Sequence, residues 1–233
     1  MNISLLVTPL TRKSLREDVY SQLRDLLMNG RVMPGEVLSL RSLAEALGVS
    51  VMPVREAVHR LIAEQALELT ANRALRVPVM TVSQFREITC IRFNLEGMAT
   101  GLAAGHLEEG QIKEIEAIHE RFNHEISRKR PDESRLVELN KELHFAIYSR
   151  ANMPMLLQMI ESMWLRIGPI VNYDLRSGST RATGRVKDHH SNLVEGLKRK
   201  DSEMATQALR DDIQSASDRI ISAGMLVSAD VSV

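Results

Sequence analysis

Hydrophobic positions recur at spacings of three and four residues along most of this chain, which is the pattern of amphipathic helices. The first such stretch runs from Leu15 to Leu27, with Gly30 just beyond it. Pro34-Gly35 then marks a turn. The pattern predicts one amphipathic helix that ends before this turn.

Two short helices are predicted next. The first presents Leu43 and Leu47 on one face, and Gly48 can adopt the left-handed conformation that ends a helix. Ser50 is placed to cap the second helix, where Pro53 lies in the first turn and its missing N–H costs nothing. Two short helices joined by a glycine-containing turn form a helix-turn-helix, whose second helix enters the DNA major groove by its N-terminal end.

Two strand-like stretches follow at residues 66–70 and 75–79, separated by Ala71-Asn72-Arg73-Ala74. A hairpin after a helix-turn-helix predicts a wing, and Arg73 at its tip is placed to reach phosphate or a minor groove. Residues 1–80 are therefore expected to form a winged helix-turn-helix domain.

Helix patterns dominate the remainder of the chain. They predict six or seven helices over residues 81–223, with Ser83 capping the first and a disturbance at Gly168-Pro169. A Ser-, Thr- and Gly-rich loop is expected at 176–185, and residues 224–233 form a tail without a clear pattern. The expected fold is mainly α, with an all-helical bundle of the kind that places ligand sites between facing helices.

Composition narrows the classes of function. The 233 residues are enough for two domains, and 44% hydrophobic with 26% charged residues is typical of a globular protein. Aromatic residues make up only 3%, which argues against a stacking platform for single-stranded nucleic acid. The single cysteine, Cys90, excludes an internal disulfide and a multi-cysteine zinc site, and is expected to be buried.

Charge and hydropathy add two expectations. The net charge is zero, and residues 1–80 hold ten Lys and Arg against eight Asp and Glu, so charge alone does not predict DNA binding. The first ten residues lack the basic lead of a signal peptide, and no apolar run approaches the roughly 20 residues of a membrane span. We expect a cytoplasmic protein without a membrane partner.

The helix-turn-helix region resembles the GntR family of bacterial transcription regulators. The motifs that carry the resemblance lie in family order and spacing: Pro34-Gly35, Leu43-Ala44, Leu47-Gly48-Val49-Ser50, and Pro53-Val54-Arg55-Glu56-Ala57-Val58 followed by Leu61. The resemblance implies that Arg41 and Arg55 contact operator DNA, by a fork onto guanine or a clamp on phosphate. The alternative for Arg55 is an ion pair with Glu56 or Glu45.

Three positions depart from the family pattern. Val51 and Met52 stand where Arg and Thr are usual after the Ser50 cap, and Ala74 stands where the wing tip usually has Gly. Ser50, Val51 and Met52 remain candidates for the groove-facing end of the second helix, since apolar side chains can contact thymine methyls. The fold prediction carries over from the family, and the operator sequence does not.

The helical part resembles the FCD sensor domain of the FadR-like GntR subgroup. The matching residues are Arg92, Leu95, Glu96 and Ala99, then Asn140, His144 and Asn152, then His190, Leu193, Leu197 and Asp201. The resemblance implies a homodimer that binds a small carboxylate-type effector. Arg92 is the candidate effector contact, with an ion pair to Glu96 one turn away as the alternative.

By the same resemblance, Asn140, His144, His190 and Asp212 form a candidate metal set, with Asp212 in the place of the family's last histidine. Such donors would suit zinc, nickel or manganese. Alternatively, these histidines are ordinary hydrogen-bonded residues, and His189 beside His190 leaves room for a shift of one position.

Together these patterns favour a ligand-responsive DNA-binding regulator. Two alternatives stay open. One is a metal-dependent all-α enzyme, although no nucleophile–base arrangement and no H-E-x-x-H helix is present in the sequence. The other is an interaction module that has lost DNA specificity, which Val51, Met52 and Ala74 would explain.

Overall fold

A computed structural model describes residues 15–176 and 185–227 and confirms the mainly α fold. Its N-terminal elements are α1 (Leu15–Met28), β1 (Val37–Leu38), α2 (Leu40–Leu47), α3 (Val51–Ala63), β2 (Glu68–Leu69) and β3 (Leu75–Arg76). The later helices are α4 (Val82–His106), α5 (Glu109–Ile126), α6 (Glu133–Tyr148), α7 (Pro154–Arg176), α8 (Arg185–Lys198) and α9 (Ser202–Ser222), with a short 3₁₀ turn at Ser149–Ala151. Six helices thus follow the wing within the described residues.

The helix-turn-helix consists of α2 and α3, joined at Gly48, whose φ of 65° is left-handed as predicted. Ser39 caps α2 by accepting from Ser42 N. The predicted cap of α3 is wrong in one respect, because the Ser50 side chain makes no capping hydrogen bond although the residue occupies the N-cap position. Helix α3 therefore begins after the left-handed turn at Gly48 without a side-chain cap.

The wing is a three-stranded antiparallel sheet in the order β1-β3-β2. The strands of the hairpin are shorter than predicted. Strand β1 was not predicted, because its two residues are too few to show an alternating pattern. Arg73 lies at the hairpin tip with a φ of 61°. The Thr70 hydroxyl donates to Asn72 Oδ1 and accepts from Ala74 N across the tip, and these contacts hold the conformation without a glycine at position 74.

The helical bundle begins two residues earlier than predicted. Thr81, and not Ser83, caps α4: its hydroxyl accepts from Gln84 N, while the Gln84 side chain accepts from Thr81 N. This reciprocal pair satisfies two of the amides that a helix start leaves free, whereas Ser83 would satisfy one. Cys90 also differs from expectation, because its position on α4 faces solvent.

Helix α7 runs without interruption through Gly168-Pro169, where the sequence predicted a disturbance. Gly168 allows α1 to approach closely, since a Cβ at that position would lie 2.8 Å from the Leu27 carbonyl oxygen. One turn later, Asn172 Nδ2 donates to Met28 O over 2.6 Å. Packing against α1 therefore holds the helix in spite of the proline.

The same helix pair joins the two parts of the molecule. Arg24 of α1 pairs with Glu161 of α7 at 2.8 Å, and Lys141 of α6 reaches Asp25 at 3.0 Å. The hydrophobic core is continuous across this contact. The helix-turn-helix is thus fixed on the bundle through α1.

The described part of the tail returns to the junction between the parts. Val227 N donates to Met80 O over 2.9 Å, and Val227 pairs with Thr81 in an isolated parallel bridge. Residues 177–184 of the predicted loop, residues 1–14 and the rest of the tail lie outside the described residues. In the part of the chain that is described, no helix combines the length and apolar character needed to cross a membrane.

Candidate DNA-binding surface and metal centre

The N-terminal end of α3 is presented to solvent. Ser50, Met52 and Arg55 are exposed, and Val51 is half-buried against the core. Met52 leaves 57% of its surface in water, so its apolar side chain is accessible to a partner. Pro53 and Val54 face inward instead and anchor the helix. The predicted groove-facing residues therefore share one accessible end of α3.

The three candidate arginines are also exposed. Arg41 lies at the start of α2, Arg55 on α3 and Arg73 at the wing tip. Within the described residues none of their guanidinium groups has a protein partner. Glu56, the alternative partner of Arg55, pairs instead with Arg16 at 2.7 Å. The arginines are thus free to contact phosphate or base edges.

Three helices bring the candidate metal ligands together. His144 lies on α6, His190 on α8 and Asp212 on α9, and one ligand atom from each falls within 4.8 Å of the others. Asp212 Oδ2 lies 3.5 Å from His144 Nε2 and 3.7 Å from His190 Nε2. Asn140, one turn before His144, is buried and lines a small cavity together with His144 and Asp212.

The surroundings of the His190 side chain support its role as a metal ligand. The residue is fully buried, and neither ring nitrogen has a hydrogen-bond partner among the described residues. Phe122 packs on the ring edge with centroids 4.8 Å apart. Buried polar atoms are nearly always paired, so an unpaired imidazole beside a carboxylate fits a site for a cation.

His144 is held in one tautomer by its neighbours. Tyr148 has a single hydroxyl hydrogen and donates it to Glu96 over 2.6 Å. The 3.1 Å contact between Tyr148 Oη and His144 Nδ1 must then be donated by Nδ1–H. The Nε2 lone pair of His144 is left facing Asp212, which is the arrangement of a histidine that ligates through Nε2.

The protonation states agree with this arrangement. Burial opposes the charge on Asp212, but His190 and His144 outweigh it and hold the pKa of Asp212 well below its ordinary value. Burial lowers the pKa of His144, because desolvation disfavours the imidazolium more than Asp212 favours it. An ionised carboxylate and a neutral imidazole are the states that metal ligands require.

The cavity at these ligands is small. Its volume of about 30 Å³ suits one ion or one water and does not hold an organic acid as the lining stands. Trp164 and Arg219 also line this cavity, whereas His190 is not among its lining residues. The donor set of two imidazoles, a carboxylate and a neighbouring amide fits a divalent transition metal.

Arg92 lines the cavity but is engaged by Glu96. Its Nε and Nη2 lie 2.5 and 3.2 Å from the two Glu96 oxygens. Burial opposes the charge, yet Glu96 raises the pKa of Arg92 above its ordinary value. A connected row of side chains thus runs from Arg92 through Glu96 and Tyr148 to His144.

Comparison with known proteins agrees with both halves of this description. The family described as bacterial regulatory proteins, gntR family, matches residues 15–77, and the FCD domain matches residues 87–215. The chain belongs to the GntR family. It is similar to the HTH-type transcriptional regulator McbR of Escherichia coli (strain K12), with 33% identity over 86% of this chain and 90% of McbR.

Solved GntR-family structures have the same fold. A structure of E. coli McbR/YncC covers 91% of this GntR-family chain and 100% of its own, with a TM-score of 0.83 and 31% identity. A putative GntR regulator from Rhodococcus sp. RHA1 covers 89% of the chain and 98% of its own, with a TM-score of 0.71 and 23% identity. The second likeness concerns the fold alone.

Sequence reasoning missed three residues of this GntR-family site: Tyr148, Trp164 and Arg219. Tyr148 follows His144 by four residues, so helix spacing would have placed it on the same face. Trp164 and Arg219 had no local signal, because α7 and α9 bring them in from distant parts of the chain.

Proposed function

We propose that this protein is a ligand-responsive transcription regulator that binds double-stranded operator DNA as a homodimer. The observation that carries the proposal is the exposed end of α3 with Arg55 unpaired, flanked by Arg41 on α2 and Arg73 on the wing. Its similarity to McbR over most of both chains supports a regulator over an enzyme. Because the partner is genomic DNA, the protein is expected to act in the cytoplasm.

The apolar residues at the start of α3 shape the expected operator. Val51 and Met52 offer no hydrogen bonds to base edges, but they can pack on thymine methyl groups. Arg55 and Arg41 would supply polar base or phosphate contacts, and Arg73 a contact beside the wing. A two-fold dimer would read two half-sites with this surface.

Binding to DNA from upstream of the protein's own gene tests the proposal. We expect saturable, salt-dependent binding in a gel-shift assay, and Arg55→Ala should weaken it by about 1–3 kcal/mol if Arg55 reads a base. Arg150→Ala is the matched control, since Arg150 lies far from α3 and pairs with Glu114. Binding without any sequence preference at moderate salt would refute the proposal, and an unchanged affinity in Arg55→Ala would remove that residue from the surface.

We further propose that His144, His190 and Asp212, with Asn140 nearby, hold one divalent metal ion of the zinc, nickel or manganese type. A bound ion would polarise an oxygen of a small carboxylate effector, which would reach the ion only after the wall of the 30 Å³ cavity moves aside. The chain's own residues orient the ligands: Tyr148 fixes the His144 tautomer, and Phe122 packs on the His190 ring. Arg92 and Arg219 at the cavity wall would attract the effector's charge.

Elemental analysis of the purified protein tests the metal. The wild type should carry close to one equivalent after incubation with excess metal and desalting, and His144→Ala should lose most of it. His106→Ala is the control, because His106 is exposed and hydrogen-bonds only within α4. Equal metal content in the wild type and His144→Ala would defeat the assignment.

A further inference from the structure

A second and much larger cavity lies between the helix-turn-helix part and the sensor bundle. Its volume is about 600 Å³, within the range of small-molecule sites. Residues from the wing side, the junction and the bundle line it: Ile62, Gln65, Leu67, Glu68, Leu69, Pro78, Val79, Met80, Gln84, Glu87, Ile88, Ile91 and Arg166. We call this cavity the junction cleft.

The cleft has apolar walls on both sides. Leu69 of β2 is 56% exposed and Ile91 of α4 is 39% exposed, so each leaves apolar surface uncovered. Val79 of the junction also lines the cleft. Exposed apolar side chains in a cleft gain from a ligand that removes their surface from water.

One unpartnered cation lies in this lining. The Nε of Arg166 on α7 is buried and has no hydrogen-bond partner, and the guanidinium forms no ion pair within the described residues. Glu68, the acidic group of the wing side, is already bound to Arg76 at 2.6 Å. Glu87 stands at the exposed surface, where water solvates its charge. Arg166 is half-buried as a whole, and a guanidinium whose buried Nε has no partner is the group with which an anionic ligand in the cleft would pair.

We propose that the junction cleft binds an apolar monocarboxylate, whose carboxylate pairs with Arg166 and whose hydrocarbon body lies between the wing and α4. The metal cavity does not provide this site, since it holds only an ion-sized volume. The two cavities are separate, but the same two helices line both of them. Helix α4 contributes Ile88 to the cleft and Arg92 to the metal cavity. Helix α7 contributes Arg166 to the cleft and Trp164 to the metal cavity.

A regulatory role for the cleft rests on the proposed DNA-binding function. A ligand that touches both the wing and α4 stabilises the arrangement of the two parts in which both contacts are made. Its binding would therefore favour this orientation of α3 relative to the bundle over any other, and so change the affinity for DNA. The binding site itself can be tested without DNA and without metal.

The test uses 2-naphthoate and its neutral analogue 2-naphthalenemethanol with the full-length protein, followed by calorimetry. We expect saturable binding of 2-naphthoate and binding of the alcohol that is weaker by roughly tenfold or more, because the alcohol lacks the charge for Arg166. Arg166→Gln should remove this preference for the acid. Arg150→Gln, a change of the same type outside the cleft, should keep it.

A second variant covers the case in which Arg166→Gln fails to fold. Ile91→Trp fills the cleft from an exposed position and should weaken 2-naphthoate binding while circular dichroism stays unchanged. His144→Ala and Arg55→Ala should both bind 2-naphthoate as the wild type does, which separates this site from the metal and DNA proposals. The inference is overturned if 2-naphthoate does not bind, if it binds no better than the alcohol, or if folded Arg166→Gln or Ile91→Trp binds it unchanged.

Discussion

At the scale of single residues, the metal site shows what a helix spacing can and cannot reveal. Asn140 and His144 share a face of α6 because they are four residues apart, and His190 and Asp212 were expected from family resemblance. The structure places His144, His190 and Asp212 in one buried cluster. Their meeting depends on how three helices pack, which no local pattern in the sequence encodes.

Tyr148 is the residue at which the metal hypothesis can be tested most finely. Tyr148→Phe removes the oxygen that receives Nδ1–H of His144 and leaves the ring in place. We expect metal affinity to fall by roughly 10- to 100-fold, the usual cost of losing a group that orients a ligand histidine. The measurement is competition with a chromophoric chelator.

Tyr20→Phe is the matched control for this change. Tyr20 also donates its hydroxyl to a glutamate, Glu64, over 2.7 Å, but it lies on α1 far from the site. Its removal should leave metal affinity as it is. Equal affinity in Tyr148→Phe and the wild type would show that the hydroxyl does not orient His144.

At the scale of elements, helix positions were predictable and their ends less so. The 3.6-residue hydrophobic period located the helices, but Thr81 displaced Ser83 as the cap of α4 because the Gln84 side chain could reciprocate. Pro169 was expected to disturb α7, and contact with α1 kept the helix whole. Strand β1 was missed because two residues carry no periodicity.

The turn between α5 and α6 offers a test of stability against pH. Glu125 accepts from Asp132 N at 2.7 Å and from Arg128 Nη1 at 3.0 Å. The Asp132 amide lowers the pKa of Glu125, burial opposes this, and Arg128 adds to it, for a net lowering. Because the folded pKa lies below the unfolded one, the stabilisation is complete above the ordinary value of about 4.5 and is lost as pH falls through the folded pKa.

Glu125→Gln should therefore destabilise the protein by about 1–2 kcal/mol near neutral pH, through weaker hydrogen bonds to an uncharged acceptor. The difference in unfolding free energy from the wild type, measured with denaturant, should shrink as the pH is lowered. Glu142→Gln is the control, since Glu142 forms an exposed pair with Arg121 that contributes little. A difference that stays constant with pH would contradict the role of the Glu125 charge.

At the scale of the whole molecule, the sequence predicted both parts but not how they meet. The pattern of short helices and strands gives way to a pattern of helices alone near residue 80. The two family matches lie on either side of this residue. The docking of α1 on α7 depends on the lack of a side chain at Gly168. From the sequence, Gly168 predicted only a disturbance of the helix and no contact with α1. The junction cleft follows from this docking, so no sequence pattern could reveal it.

The return of the chain to its own junction has a practical consequence. Val227 is hydrogen-bonded to Met80 and paired with Thr81, so the start and the described end of the bundle are adjacent. A circular permutation of the bundle taken alone would join these neighbouring points with only a short linker. Likewise, a fluorescent reporter fused directly after Val227 would stand beside the joint between the helix-turn-helix part and the bundle, where it would report a change in their orientation.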